Sequence, residues 1–522
     1  MKYILPQTWS VAALFDLGEW SGGGTPSKFI ESFWNGDIPW VSPKDMKQDF
    51  IFDSEDHITK SAIEKSATKL IPENSILFVT RSGILAHTFP IAITLVPVTV
   101  NQDIKALTPF QGVDTKYLAW ILRAKGRQIL ETCSKDGTTV NSIETSRLHA
   151  FTVPLAPHGE QARIVAKIEE LFSELDKGVE NLKTAREQLK VYRQALLKHA
   201  FEGKLTAQWR KDNRDKLETA DALLKRIQTE RAQRYQQELE KWEAAGKQGS
   251  KPKAPKVLPP LTTEELAELP ELPKGWGWTR LGNANVEVSD GPFGSNLKSS
   301  DYVESGVRVV RLENIGNLTF IEEKVSYVTE EKYESLRRHS VTTGDIIFSS
   351  FIIENVRVAL IPPSIERGIN KADCFCVRLF GETLSNTFVV TYLSTRHVYK
   401  QLEALIHGVG RPRINTTQLK DVVIPVCGAA EQQILFTEIE SRLSTANQLD
   451  QTITIALQQA EALRQSILKK AFSGQLVPQD PKDEPASALL ARIKAARNAA
   501  VAKPRKASTG NKLSPVENRL RP

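Results

Sequence analysis

Arginine, lysine, asparagine and threonine recur in the turn-rich stretches of this chain, in a set whose chemistry suits a nucleic-acid duplex. The set comprises Lys44, Arg81, Ser82, Lys135, Thr138 and Thr139 early in the chain, and Arg308, Arg311, Asn314, Arg357, Arg411 and Arg413 later. A guanidinium can take guanine bidentately in the major groove, an asparagine amide can take adenine, and lysine and threonine commonly hold phosphate. For any one of these residues the commoner role is a solvated surface charge. What would turn them into a reader is a frame that brings them to one face.

Catalytic chemistry has no comparable set. The chain has no GxxxxGK[ST] phosphate loop, no GxSxG elbow, no HExxH, and no GxGxxG placed between a strand and a helix. GVGRPR at Gly408 has two glycines without a phosphate-loop sequel, and the [ND]PP[FYW] signature of amino-methylating enzymes is missing. Carboxylates are plentiful, yet no Asp-x(n)-Glu-x-Lys run of a nuclease stands out. Cys133, Cys374, Cys376 and Cys427 show neither CxxC nor Cys/His ligand spacing, and read as reduced structural thiols. No catalytic, cofactor-binding or metal-ligating residue is therefore expected in this chain.

The frame is legible in two long proline-free stretches. Residues 160–205 place Ile168, Leu171, Leu175, Gly178, Leu182, Ala185, Leu189, Tyr192 and Leu196 on alternating three- and four-residue spacings, the seam of a heptad helix that needs a partner helix. That partner lies 271 residues further on, at 431–476, where Ile439, Leu449, Ile453, Leu463 and Ile467 keep the spacing. The two stretches share 15 of 46 residues without a gap, concentrated at their ends. The repeat extends outward: Gly137 to Leu148 aligns with Gly408 to Leu419, Phe78 with Phe348, and Leu5-Pro6 and Trp9 with Leu272-Pro273 and Trp276. ETADALLKRI from Glu218 also resembles EPASALLARI from Glu484.

The expected architecture is mixed α/β (α+β): two globular domains in tandem repeat, each followed by a long helix, with the helices packing as an antiparallel coiled coil. The divisions fall at 1–155 for the first globule, 156–206 for its helix and 207–271 for a charged helical insertion with a Pro/Lys-rich linker. The second globule follows at 272–426, its helix at 427–477, and a tail at 478–522 that ends in disorder. SILFVT, IAITLVPVTV, DIIFSS and CFCVRLF read as strands, and Ile76, Phe78, Ile91, Ile93, Leu118 and Leu122 as core. At 522 residues more than one domain is expected, and 69 Lys+Arg against 62 Asp+Glu leaves a mildly basic +7. With no apolar run of signal-peptide or membrane-span length, a cytoplasmic location is expected.

The whole arrangement resembles the specificity subunit (HsdS) of type I restriction-modification systems, over nearly the full chain. The resemblance is carried by the LPxxW openings at Leu5 and Leu272, the TRSG turn at Thr80 and the IxxxxLxxxxxPL-type passages ending at Leu155 and Val426. Its most specific signals are the EQ-initiated helices closing with LLKHAFEGKL and ILKKAFSGQL and the LVPQDPKDEPASALLARI segment. It implies two target recognition domains, each reading half of a bipartite asymmetric site on double-stranded DNA. The helices would set the gap and dock two modification (methyltransferase) subunits, with restriction (translocase/nuclease) subunits beyond. S-adenosylmethionine, ATP and Mg would sit on those partners, and this chain would be non-catalytic. The insertion at 210–271 departs from the pattern and bears on spacing and docking. Two other readings stay open: a coiled-coil adaptor whose globules bind protein, and a single-chain DNA-modifying enzyme.

Overall fold

A computed structural model describes residues 5–135, 141–406 and 412–502. The chain folds as two units, one built from 1–182 with 455–522 and the other from 183–454. The unit of folding therefore differs from the unit of sequence repeat. Each unit takes one globule, a piece of each long helix, and the segment that follows the other copy's helix.

In the first unit a five-stranded sheet runs Gly18–Gly22, Ile104–Pro109, Ile76–Val79, Ile91–Thr94, Phe50–Ile51, antiparallel except for its last pair. Ile76–Val79 and Ile91–Thr94 are buried along their whole length, as their unbroken apolar runs require of central strands. Ile76, Phe78, Ile91, Ile93, Leu118 and Leu122 all lie in this core. Ser10–Ala13 pairs antiparallel with Thr152–Leu155. A smaller three-stranded sheet holds Trp34–Val41, where the register shifts between Trp34 and Ile38 as a bulge inside the strand, with Asn35 at φ 59°.

The second unit repeats this plan. Val286–Ser289, Cys374–Leu379, Ile346–Ser349 and Val358–Leu360 form its antiparallel sheet, and Gly277–Arg280 pairs with Val423–Val426. Its accessory sheet has five strands instead of three.

The helix His158–Phe201 runs through the boundary at 182, and Ala429–Ala471 through the boundary at 454. Both begin with a buried Glu-Gln pair, and the glutamines do identical work. Gln161 accepts from the Asp114 N–H at 2.8 Å and donates to the Ala156 carbonyl at 2.9 Å. Gln432 accepts from Ser385 N–H at 3.0 Å and donates to the Cys427 carbonyl at 2.7 Å. Each amide thus ties the start of a long helix to the start of a helix in its globule. At their far ends, Gly203 and Gly474 adopt φ of 70° and 74°, and the N–H of the next residue reaches back to His199 and Lys470 at 2.9 Å. These are left-handed caps of the Schellman kind. A Cβ on either glycine would sit 2.5 Å from Pro273 Cγ or 2.3 Å from Pro6 Cγ, so no other residue fits.

The segments beyond those caps pack into the two cores. In the charged stretch 207–271 the helix Ala220–Ala244 buries Leu223 and Ile227 in the second unit's core. Correspondingly, Ala486–Ala502 buries Leu489 and Ile493 in the first unit's core. The ETADALLKRI and EPASALLARI resemblance marks two equivalent clasps. The end of the tail, from 503, lies outside the described residues.

The helix seam also needs correcting. Ile168, Leu196, Ile439, Ile453 and Ile467 are buried, and Leu171, Leu175, Leu182 and Leu189 are half-buried, but Leu449 and Leu463 are each 51% exposed. Between the shared seventh residues the packed positions are 450 and 464, one residue later. In the second unit Arg186 pairs with Asp450 at 3.1 Å, and Arg193 donates to Asn447 at 2.9 Å, so the helix segments run antiparallel there. In the first unit Arg464 pairs with Asp176 and lies over the Phe172 ring at 4.5 Å. A charged pair took the place expected for leucine because arginine can bury its methylenes and keep its head wet.

Candidate nucleic-acid interface

At one end of the first unit's sheet three strands finish or start together, since Gly22 pairs with Lys105 and Val79 with Ile104. The chain leaving Ile76–Val79 meets the chain returning from residue 141. Ile143 N–H donates to the Thr80 carbonyl at 2.8 Å, Ser82 N–H to the Asn141 carbonyl at 3.2 Å, and Arg81 and Ser142 form a β-bridge. Thr80 N–H in turn donates to the Asp103 carbonyl at 2.7 Å. Into this junction Asp103 projects its carboxylate, accepting from Arg81 Nε at 2.9 Å, while Asn101 caps it.

The second unit builds the same junction. Ile414 N–H donates to the Ser350 carbonyl at 2.9 Å, Ile352 N–H to the Pro412 carbonyl at 3.2 Å, and Phe351 and Arg413 form the bridge. Ser350 N–H donates to the Asp373 carbonyl at 2.9 Å, and its hydroxyl to the carboxylate at 3.0 Å. The guanidinium now comes from the other side of the bridge: Arg413 reaches Asp373 at 3.4 Å and lies over Phe351 at 5.7 Å. Both arginine side chains remain more than half exposed, at 60% and 53%. Asp290, which accepts from the Asp373 N–H at 3.0 Å, has its carboxyl pushed up, first by burial, against the N–H groups of Gly291 and Asp373 that favour its charge.

Arg81, Ser82, Lys135 and Arg413 thus come to these junctions. Ser82 spends its hydroxyl capping the short helix Gly83–Ala86, and Lys135 sits on the two-residue strand paired with Ser142. Thr138, Thr139 and Arg411 lie outside the described residues, in the segments that lead into the junctions. Beside the first junction a cleft of about 800 Å³ is lined by His87, Arg123, Arg127, Lys135 and Asn141.

Four other candidates are structural. Asn314 is fully buried, accepting from Arg311 N–H at 2.9 Å and donating to the carbonyls of Ile321 and Lys324. Arg308 donates to the carbonyls of Glu322 and Lys324, and Arg357 to the Leu312 carbonyl and the Ser349 hydroxyl. Arg311 is held by Ser326 and Glu313 at 3.2 Å each. Together these four pin the 311–326 loop, whose inward carbonyls need donors that no strand supplies. Lys44 stands apart, between Glu55 at 2.9 Å and Asp56 at 3.0 Å, whose hydrogen bonds raise its pKa above the ordinary value.

Sequence reasoning missed Asp103 and Asp373, the residues that organise the junctions. A signal existed, since Asn101 and Asp103 recur as Asn370 and Asp373 at nearly the repeat's own offset. Among the described residues no group of three or more His, Cys, Asp or Glu could hold a metal ion, and no helix is long and apolar enough to cross a membrane. All four cysteines are buried and free.

Residues 6–184 match the family described as the type I restriction modification DNA specificity domain. The chain is 42% identical over 188 residues to the EcoR124I/EcoR124II specificity subunit of Escherichia coli, an alignment covering 35% of this chain and 46% of that protein. It is 31% identical over 200 residues to the MjaIX specificity subunit of Methanocaldococcus jannaschii, covering 38% and 44%. It thus spans under half the length of these two. With the Escherichia coli EcoDI specificity subunit the identity is 26% over 410 residues, covering 74% and 78%. The fold is shared with a chain solved in work on assembly and conformational transition of the type I R-M system, at TM-score 0.62 and 17% identity, covering 91% of this chain and 100% of that one. It is shared also with the HsdS subunit from Thermoanaerobacter tengcongensis, at TM-score 0.52 and 16% identity, covering 91% and 99%. Residues 6–184 thus carry a type I restriction modification DNA specificity domain, and along most of its length the chain is similar to specificity subunits of type I restriction-modification systems.

Proposed function

We propose that this chain is the DNA-reading, non-catalytic subunit of a type I restriction-modification complex, and that each unit reads one half of a bipartite asymmetric site. The observation that carries the reading is the duplicated junction, in which an Asp-held, half-exposed guanidinium stands at the same sheet end of both units. An arginine paired to a carboxylate is oriented before DNA arrives, and it can exchange that partner for phosphate or guanine. The different residues around the two junctions, Ser142 against Phe351, give the two halves different preferences. The long helices would set the gap and dock two modification subunits carrying S-adenosylmethionine, while ATP and Mg would act on restriction subunits.

The reading is tested by expressing the full-length chain with a cognate modification subunit and mapping methylated adenines across the host genome. A single split motif with a fixed gap is the expected result. A stable complex that methylates nothing, or an ungapped motif, would contradict it.

A further inference from the structure

Phe29 is 99% exposed, a large apolar ring held entirely in solvent. Its loop is not loose. Gly24 N–H donates to the Val100 carbonyl at 2.9 Å, Ile30 N–H to the Ser27 carbonyl at 3.3 Å, and Trp34 Nε1 to the same carbonyl at 3.2 Å. Gly23 approaches so closely that a Cβ there would lie 1.9 Å from the Asn101 carbonyl oxygen. Asn101 is the residue that caps Asp103, so the loop springs from the end of the sheet where Arg81 is held.

One exposed phenylalanine is unremarkable on a protein surface. Here the feature occurs twice. In the second unit the loop after Val286–Ser289 carries Phe293, 62% exposed, and Gly291 packs against Lys371 beside the Asp373 junction. The loops that follow the junctions add Ile84, 37% exposed, and Ile353, 67% exposed. Each unit therefore joins a guanidinium and protruding apolar tips at one end. That combination suits a duplex: the cation meets the backbone or a base edge, and an apolar side chain can enter between base pairs and unstack them. A protein partner for a protruding ring would need to offer a pocket, and it would not explain the guanidinium held at the base of the loop.

We propose that Phe29 inserts as a wedge into a base step of the first half-site, and Phe293 into one of the second. The proposal rests on the DNA-reading function above and adds how each half-site is distorted. The wedge makes specificity depend on how readily a step unstacks as well as on hydrogen bonding.

The test uses the full-length chain complexed with its modification subunits and duplexes of the mapped target in which 2-aminopurine replaces, one at a time, each adenine in and beside the first half-site. Wild type is expected to raise fluorescence at one step. Phe29→Ala should lose that signal and bind the target roughly ten- to a hundredfold more weakly. Phe29→Leu should retain part of both. Non-specific binding and the salt slope should not move, because phenylalanine releases no counterions. Since Phe29 touches solvent only, the variants should melt at the wild-type temperature. Preferential wild-type binding with no fluorescence change, or with the same affinity in Phe29→Ala, overturns the wedge and leaves the function standing. A wild-type complex without sequence preference overturns both.

Discussion

Asp103 and Asp373 hold equivalent places in the two units and grip arginines from opposite strands of the same β-bridge, Arg81 at 2.9 Å in one and Arg413 at 3.4 Å in the other. The carboxylate is the fixed element and the cation's origin is the variable one. A reader can diversify this way, with an anchor common to both units and different residues around it. Replacing Asp103 by Asn should leave the fold intact, because the backbone bonds of Thr80 persist, while releasing Arg81. Binding to the target should weaken by roughly tenfold, since the guanidinium must then be ordered on contact. Isothermal titration against target and scrambled duplexes checks this.

The glutamine clamps carry stability. Gln161→Leu strands the Asp114 N–H and the Ala156 carbonyl, and Gln432→Leu strands the Ser385 N–H and the Cys427 carbonyl. Leaving buried backbone groups unpaired costs about 1–3 kcal/mol. Each variant should lower the melting temperature by several degrees in calorimetry.

The helix seam can be phased directly. Leu449→Lys and Leu463→Lys alter exposed side chains and should change stability by no more than about 0.5 kcal/mol. Ile453→Asp places a charge where only 9% of the residue is exposed and should destabilise by about 2–4 kcal/mol. Equal effects of the three in thermal melts would restore the phase expected from sequence.

Acid sensitivity follows from two histidines. His397 beside Trp278 and Tyr392 has its pKa lowered by burial, with Lys400 adding to it, and His149 beside Trp20 is lowered by burial and then by Lys105. Both hold a proton less readily in the fold than in the unfolded chain. Their contribution is complete above the ordinary value of 6.5 and is lost as pH falls below it. Between pH 7.5 and pH 5 the melting temperature should fall, and His149→Gln/His397→Gln should fall less.

How much of this the sequence disclosed depends on the range of the interactions. The tandem repeat, the core strands and the fixed seam residues Ile439, Ile453 and Ile467 were legible because hydrophobic period and local turns determine them. The phase between those residues was not, because Leu449 is apolar and adjacent to Asp450, and only the Arg186 pairing decides between them. Asn314 looked like a base reader because its burial depends on carbonyls seven and ten residues away. The clasp formed by Leu223 and Ile227 was hidden in a charged stretch with few apolar positions.

The most direct test of two independent readers is methylome mapping of Arg81→Ala and Arg413→Ala in the full-length chain co-expressed with the modification subunit. The account predicts that each substitution relaxes or abolishes specificity in one half of the split motif, a different half for each, with gap length unchanged. Both substitutions degrading the same half, or neither changing the motif, would contradict it.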